Sequence, residues 1–199
     1  MPAVAKHRKP IIDAAVTLFR RQGYANTGLN EIVQQSGAPK GSLYYYFPEG
    51  KTSIAAAAVL EAGERVAKTV QDLSDKATST ANLMRAHAKL LAKWMRESTY
   101  RDGCPITTVL LEMAPQDRAV SEAGRKAYGM RIGIMREKLI EDGFPAKEAK
   151  RLATTCVSAL QGALIQARIE RSGAPIETAA DEIAKLLENH PLRASTVKQ

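Results

Sequence analysis

The stretch that decides the reading is Gly37-Ala38-Pro39-Lys40-Gly41-Ser42-Leu43-Tyr44-Tyr45-Tyr46-Phe47-Pro48-Glu49-Gly50-Lys51. Proline suits a helix start, where its missing N–H costs nothing, and Pro48-Glu49-Gly50 is a turn. Residues 39–46 between these signals read as a short helix with Leu43 as its main apolar anchor. Consecutive tyrosines on a helix point in directions about 100° apart. The three cannot all be core, so at least one faces outward beside Lys40, Gly41 and Ser42.

Toward the N-terminus, Ile11, Ile12, Ala15, Leu18 and Phe19 form a stripe of helical period that ends at Gly23. Thr27 is the expected N-cap of a second helix carrying Leu29, Ile32 and Val33, and Gly37 punctuates it. Leu18, Phe19, Ile32, Val33, Leu43 and Phe47 are available to close a small core. Three short helices of this kind are the layout of a helix-turn-helix, whose second helix enters the DNA major groove.

Toward the C-terminus the helical period continues. A long helix is expected at 51–73, then a polar loop at 74–80 with Thr80 as a cap. The next helix carries Leu83, Met84, His87, Leu90, Leu91, Trp94 and Met95, and Asp102-Gly103-Cys104-Pro105 breaks the pattern. Further helices are expected at 106–113, 118–141, 146–171 and 175–189. No run alternates with period two, so no strand is expected. The sequence therefore predicts an all-α chain of about nine helices. Residues 1–51 would be a three-helix DNA-binding domain, with helix four (51–73) as connector. Residues 52–199 would be a larger effector-binding and dimerisation domain.

Charge agrees with this division. The net charge is +8, and residues 1–51 hold seven Lys and Arg against three acids, so half the excess lies in the first quarter. A basic head suits a polyanion, because neutralising phosphates releases counterions. Cys104 and Cys156 are far apart, and His7, His87 and His190 are scattered, so no metal site and no cofactor are expected. There is no nucleophile elbow or phosphate-binding glycine loop, which argues against an enzyme. The longest near-apolar run, 54–60, is far too short to span a membrane. The first nine residues lack the apolar core of a signal peptide. A cytoplasmic protein with reduced thiols is expected.

The spaced features Gly23-Tyr24-Ala25-Asn26-Thr27, Ile32, Gly37 to Phe47 and Lys51 together resemble the DNA-binding domain of the TetR family, over about residues 6–65. The wording from Gly41 to Lys51 is similar to its LmrA/YxaF-like subgroup, as are Gly103-Cys104-Pro105-Ile106 and Leu111-Glu112-Met113-Ala114-Pro115. The resemblance implies that Thr27 caps helix two and touches phosphate, and that Lys40, Ser42 and Tyr44 face the groove. It implies that Gly41 lets the backbone approach DNA and that Asn30 sits at a variable, sometimes base-reading position. Tyr45 and Tyr46 would contact the backbone or a thymine methyl, and Lys51 a phosphate. The chemistry fits: Lys donates to guanine, Asn pairs with adenine, and Tyr hydroxyls and Lys suit phosphates. Two departures stand out. Gly28 replaces the family's usual Ser or Thr, and the Pro-Glu-Gly-Lys turn is one residue longer than the common form. The ordinary alternative for Tyr46 is packing against helix one, and for Lys40 plain solvation.

Leu152, Cys156, Leu160 and Leu164 form one stripe, and Ile183 and Leu187 belong to another. These are the expected homodimer interface, a four-helix bundle that would present two heads to a palindromic double-stranded operator. Trp94, Met113, Tyr128, Met135 and Gln161 are candidates to line a pocket for a small apolar or aromatic effector that releases DNA. Ordinary core packing is the alternative for each. A DNA-binding regulator without a small-molecule ligand, thiol-responsive through Cys104 or Cys156, is the second functional reading. A non-specific architectural DNA-binding protein is the third.

Overall fold

The structure is a computed structural model and describes residues 6–191. The reading of residues 1–5 as part of a leaderless start lies outside the described residues. Among the described residues there are nine helices and no strand: α1 (Arg8–Gln22), α2 (Leu29–Ser36), α3 (Lys40–Tyr46), α4 (Lys51–Ser74), α5 (Thr80–Glu97), α6 (Thr107–Met113), α7 (Arg118–Glu141), α8 (Ala146–Glu170) and α9 (Ala174–Glu188). The chain is all-α, as the periodicity predicts.

Packing divides the chain differently from the division of roles expected above. One compact unit is Met1–Arg65 with Gly103–Tyr128, and the other is Val66–Asp102 with Gly129–Gln199. In the first, α1 packs on α2, α3 and α6. Ile11, Ile12, Ala15 and Phe19 of α1, Ile32 of α2, Leu43 of α3, Phe47, and Ile54 of α4 are buried. Each such large side chain contributes about 1.5–3 kcal/mol by leaving water. Leu18 and Val33, expected in this core, are only half-buried.

In the second unit α5, α8 and α9 pack together over Met84, Met95, Met135, Leu139, Leu160, Ile176 and Leu187. Arg85 ties α5 to α9, donating from Nε to Asp181 at 3.0 Å and from Nη2 to Glu188 at 3.1 Å. The expected Thr80 cap is corrected. Ser79 is the N-cap and its hydroxyl accepts the Asn82 N–H at 3.2 Å. Thr80 is the first helical residue, and its N–H donates to Asp142 at 2.6 Å.

His87 of α5 and Arg131 of α7 are polar residues inside this unit, each 3% exposed. Burial, with the Arg131 guanidinium adding to it, lowers the His87 pKa to about 4. In the unfolded chain a histidine protonates near 6.5. The folded state therefore binds the proton later, and stability falls as pH drops from about 6.5 toward 4, by about 3 kcal/mol. We expect urea midpoints of the wild-type chain to fall over this range, and His87→Leu to flatten that slope. Identical slopes in both proteins would show that His87 is not buried as the neutral form.

Candidate nucleic-acid interface

The segment between α1 and α2 is a tight turn. Gly23 ends α1 at φ +83°, a conformation that favours glycine, and its N–H donates to Phe19 O at 3.0 Å. Thr27 closes the turn. Its N–H donates to Tyr24 O at 3.1 Å, and its hydroxyl donates to Gly23 O at 2.7 Å. Thr27 is 1% exposed.

The expectation that Thr27 caps α2 is thus corrected. The N-cap is Gly28, in extended conformation, and Glu31 supplies the half of a capping box that glycine allows by accepting the Gly28 N–H at 2.8 Å. That bond, with one from the Gln22 amide, holds the Glu31 carboxyl below the usual carboxylate range. A threonine hydroxyl committed inside the turn has no remaining donor for a phosphate. Asn30 lies exposed on α2.

Gly37, left-handed at φ +64°, turns the chain into α3, and Pro39 is the residue before its first turn rather than within it. Leu43 and Phe47 share one face at i, i+4 spacing and are buried. This fixes the opposite face. Lys40 with Tyr44, and Gly41 with Tyr45, are i, i+4 pairs exposed to solvent, with Tyr44 50% and Tyr45 67% accessible. A Cβ at Gly41 would meet nothing within 4 Å. Ser42 and Tyr46 are half-buried. The Tyr46 ring stands edge-on to Tyr45 with centroids 5.2 Å apart, and Arg8 lies 5.6 Å over Phe47.

Lys51 begins α4 and is anchored on the turn after α1. Its Nζ lies 4.2 Å above the Tyr24 ring and donates to Ala25 O at 3.4 Å. Burial pulls its pKa below the ordinary lysine value, and the carboxylates of Glu112 and Glu31 oppose the shift. The Tyr24 and Ala25 N–H groups both donate to Glu112 of α6, at 2.8 and 2.6 Å. Gly103, before α6, donates to Arg20 O at 2.8 Å. Tyr24 and Glu112 are site residues that sequence reasoning missed. Tyr24 lies within the Gly23 to Thr27 motif, but nothing in its spacing marks it as a seat for Lys51. Glu112 lies 88 residues from its partner, and a lone acid on a short helix carries no local signal of that reach.

The other predicted residues are less clustered. Met113 and Tyr128 are half-buried in the first unit, where Tyr128 Oη and Thr107 Oγ1 are hydrogen-bonded at 2.8 Å. Trp94, Met135 and Gln161 belong to the second. Met135 is a core residue there, while Trp94 is 37% exposed.

Of the six expected interface residues, Cys156, Leu160 and Leu187 are buried within the chain itself, because α8 and α9 use that stripe to pack on α5 and each other. Leu152, Leu164 and Ile183 are half-buried. The aliphatic side chains left in water on these helices are Ile165, Ile169 and Leu186. Burial pushes the Cys156 thiol up to about 12, which disfavours a thiolate there.

The chain is similar to known proteins over most of its length. Residues 11–58 match the family model "Bacterial regulatory proteins, tetR family". Residues 80–182 match "Transcriptional regulator LmrA/YxaF-like, C-terminal domain". The chain is 32% identical over 169 residues to the HTH-type transcriptional regulator LmrA of Bacillus subtilis, covering 85% of this chain and 90% of that one. It is 31% identical over 180 residues to the uncharacterized regulator YxaF of the same organism, covering 90% and 94%. Solved structures sharing the fold include a TetR regulatory protein of Rhodobacter sphaeroides, at TM-score 0.79 and 19% identity over 90% of this chain and 97% of that one. Another is a TetR transcriptional regulator of Chloroflexus aurantiacus, at TM-score 0.77 and 25% identity over 95% and 98%. No helix among the described residues is long and apolar enough to cross a membrane.

The buried hydroxyl gives the first test of this site. Thr27→Val should lower folding stability by about 0.5–1.5 kcal/mol, the worth of an ordinary hydrogen bond. It should leave operator affinity of the folded protein within about twofold, as measured by anisotropy titration at fixed salt. A loss of about tenfold in the folded variant would return Thr27 to the phosphate contacts.

Proposed function

Because the chain belongs to the TetR family of DNA-binding transcriptional regulators, with an LmrA/YxaF-like C-terminal domain, we propose that it is a repressor. It binds a palindromic operator as a homodimer and is released by a small apolar or aromatic effector. The observation that carries the DNA side of this reading is the outward face of α3. Gly41, Tyr44 and Tyr45 are exposed there because Leu43 and Phe47 are held beneath them, and Lys40 is exposed beside them at the helix start. Lys40 is the base reader, suited to guanine O6 and N7. Tyr44 contacts a base edge or thymine methyl. Tyr45 and Lys51 are phosphate ligands, and Ser42, Tyr46 and Asn30 complete the surface.

One recognition helix covers few base pairs, so two-fold pairing doubles both contact and specificity. The interface we propose uses Ile165 and Ile169, which share a face of α8, with Leu186 of α9. Leu152, Leu164 and Ile183 stand at its half-buried margin. Effector binding acts by preferring a state whose heads no longer match the operator, which shifts the population off DNA. By linkage, operator weakens effector binding by the same factor.

Selecting bound DNA from a random pool supplies the operator and its half-site spacing. Lys40→Ala or Tyr44→Ala should abolish binding to it in gel shifts while leaving circular dichroism and dimer mass intact. Wild-type affinity in both variants would overturn the assignment of α3. Ile169→Asp with Leu186→Asp should yield folded monomers in sedimentation and lose operator binding with them. A dimer that persists would place the interface elsewhere.

A further inference from the structure

We propose that Glu112 is a positioning residue for DNA binding: from α6 it fixes the Tyr24–Ala25 turn on which the Lys51 side chain rests, and so sets the Lys51 contact with phosphate. This rests on the reading of Lys51 as a phosphate ligand given above.

The first step is geometric. Both carboxylate oxygens of Glu112 are used, Oε1 by the Tyr24 N–H at 2.8 Å and Oε2 by the Ala25 N–H at 2.6 Å. Hydrogen bonds to a charged acceptor are shorter and stronger than neutral ones. Two from consecutive residues fix the orientation of the turn as well as its position. The approach is close: a Cβ on Gly23 would lie 2.4 Å from Glu112 Oε1. Gly23 thus serves twice, once for its positive φ and once to admit the carboxylate.

The second step is what the turn carries. Tyr24 supplies the ring under the Lys51 ammonium and Ala25 the carbonyl it donates to. An ammonium has three donors, so this seat leaves others for an anion. Without it, a lysine on four rotatable bonds loses its direction and gives up more rotamer freedom when it orders on DNA.

The third step is that α6 is itself held. Gly103 ties the segment before it to Arg20 O. On its other side Leu110 reaches over Gly124 of α7 so closely that a Cβ there would be 2.6 Å from Leu110 Cδ2. Glu112 is therefore a fixed point against which the turn is set. The two segments around α6, 103–106 and 111–115, each contribute one tether to the end of α1 or the turn after it.

The test measures operator affinity of the full chain against salt, with the pool-selected operator, for Lys51→Met, Glu112→Ala, Glu112→Gln and the double variant Lys51→Met with Glu112→Ala. Lys51→Met and Glu112→Ala should each weaken binding about tenfold and flatten the slope of log K against log salt by about one. The double variant should bind within about twofold of Lys51→Met, because both remove the same contact. A Glu112→Ala protein with wild-type slope, or with losses that multiply in the double variant, overturns the proposal and leaves Lys51 as assigned. A Lys51→Met protein with wild-type slope removes the phosphate reading of Lys51, and this inference with it. If Glu112→Ala fails to fold by circular dichroism, Glu112→Gln decides by the same slope. Its amide keeps the size and one acceptor, so a reduced slope supports the proposal and a wild-type slope overturns it.

Discussion

Seven residues are too few to make a helix that stands alone in water, so α3 exists because Leu43 and Phe47 are buried beneath it. Everything the head does follows from that anchorage. The helical repeat then decides which residues face solvent: with positions 43 and 47 inward, positions 41, 44 and 45 point away, and Lys40 is exposed as the first residue of the helix. The recognition surface is thus specified by its opposite face. It is as rigid as the small core under it, and α1, α2 and α3 meet in that core.

A core this small needs its connections as well as its apolar side chains. The turn after α1 is short of regular hydrogen bonds, and each one it has comes from a different source. Gly23 donates back into α1, Thr27 bridges to Gly23, and Glu112 takes the Tyr24 and Ala25 N–H groups. The buried Thr27 hydroxyl gives the Gly23 carbonyl a donor, and the surface Glu112 carboxylate gives the Tyr24 and Ala25 N–H groups acceptors. Their reach differs. Thr27 acts within its own loop, whereas Glu112 brings in a helix from the far side of the sequence.

That difference in reach also separates what was legible in the sequence from what was not. The nine helices and the anchors Leu43 and Phe47 follow from periodicity and punctuation, because a stripe every three or four residues has one physical meaning. The cap positions were off by one. Thr27 and Thr80 read as caps because threonine favours that role, but at both sites the neighbour, Gly28 or Ser79, has the extended backbone that capping requires. Propensity identifies a residue type that suits a place, while the turn geometry selects the place. The stripes on α8 and α9 suggest an interface, yet a stripe shows only that a face is buried. Cys156, Leu160 and Leu187 are buried by α5 and by each other's helices. Glu112 was invisible because a hydrogen bond spanning 88 residues leaves no pattern in the chain.

The side chains that remain exposed divide by chemistry in a way that periodicity alone does not show. On α3 the exposed large hydrophobic side chains are tyrosines, and on α8 and α9 they are isoleucines and a leucine. Tyrosine has an apolar body and a polar tip, so it tolerates water and can hydrogen-bond to a wet, charged partner. An aliphatic side chain gains nothing from water or from phosphate and is stabilised only by a dry, close-packed neighbour. DNA interfaces are polar and hydrated, whereas the cores of homodimer interfaces are apolar. The two surfaces therefore suit two different partners. The proposal of a DNA-binding face on α3 and a protein-binding face on α8 and α9 rests on which kind of solvent each side chain can leave at a gain.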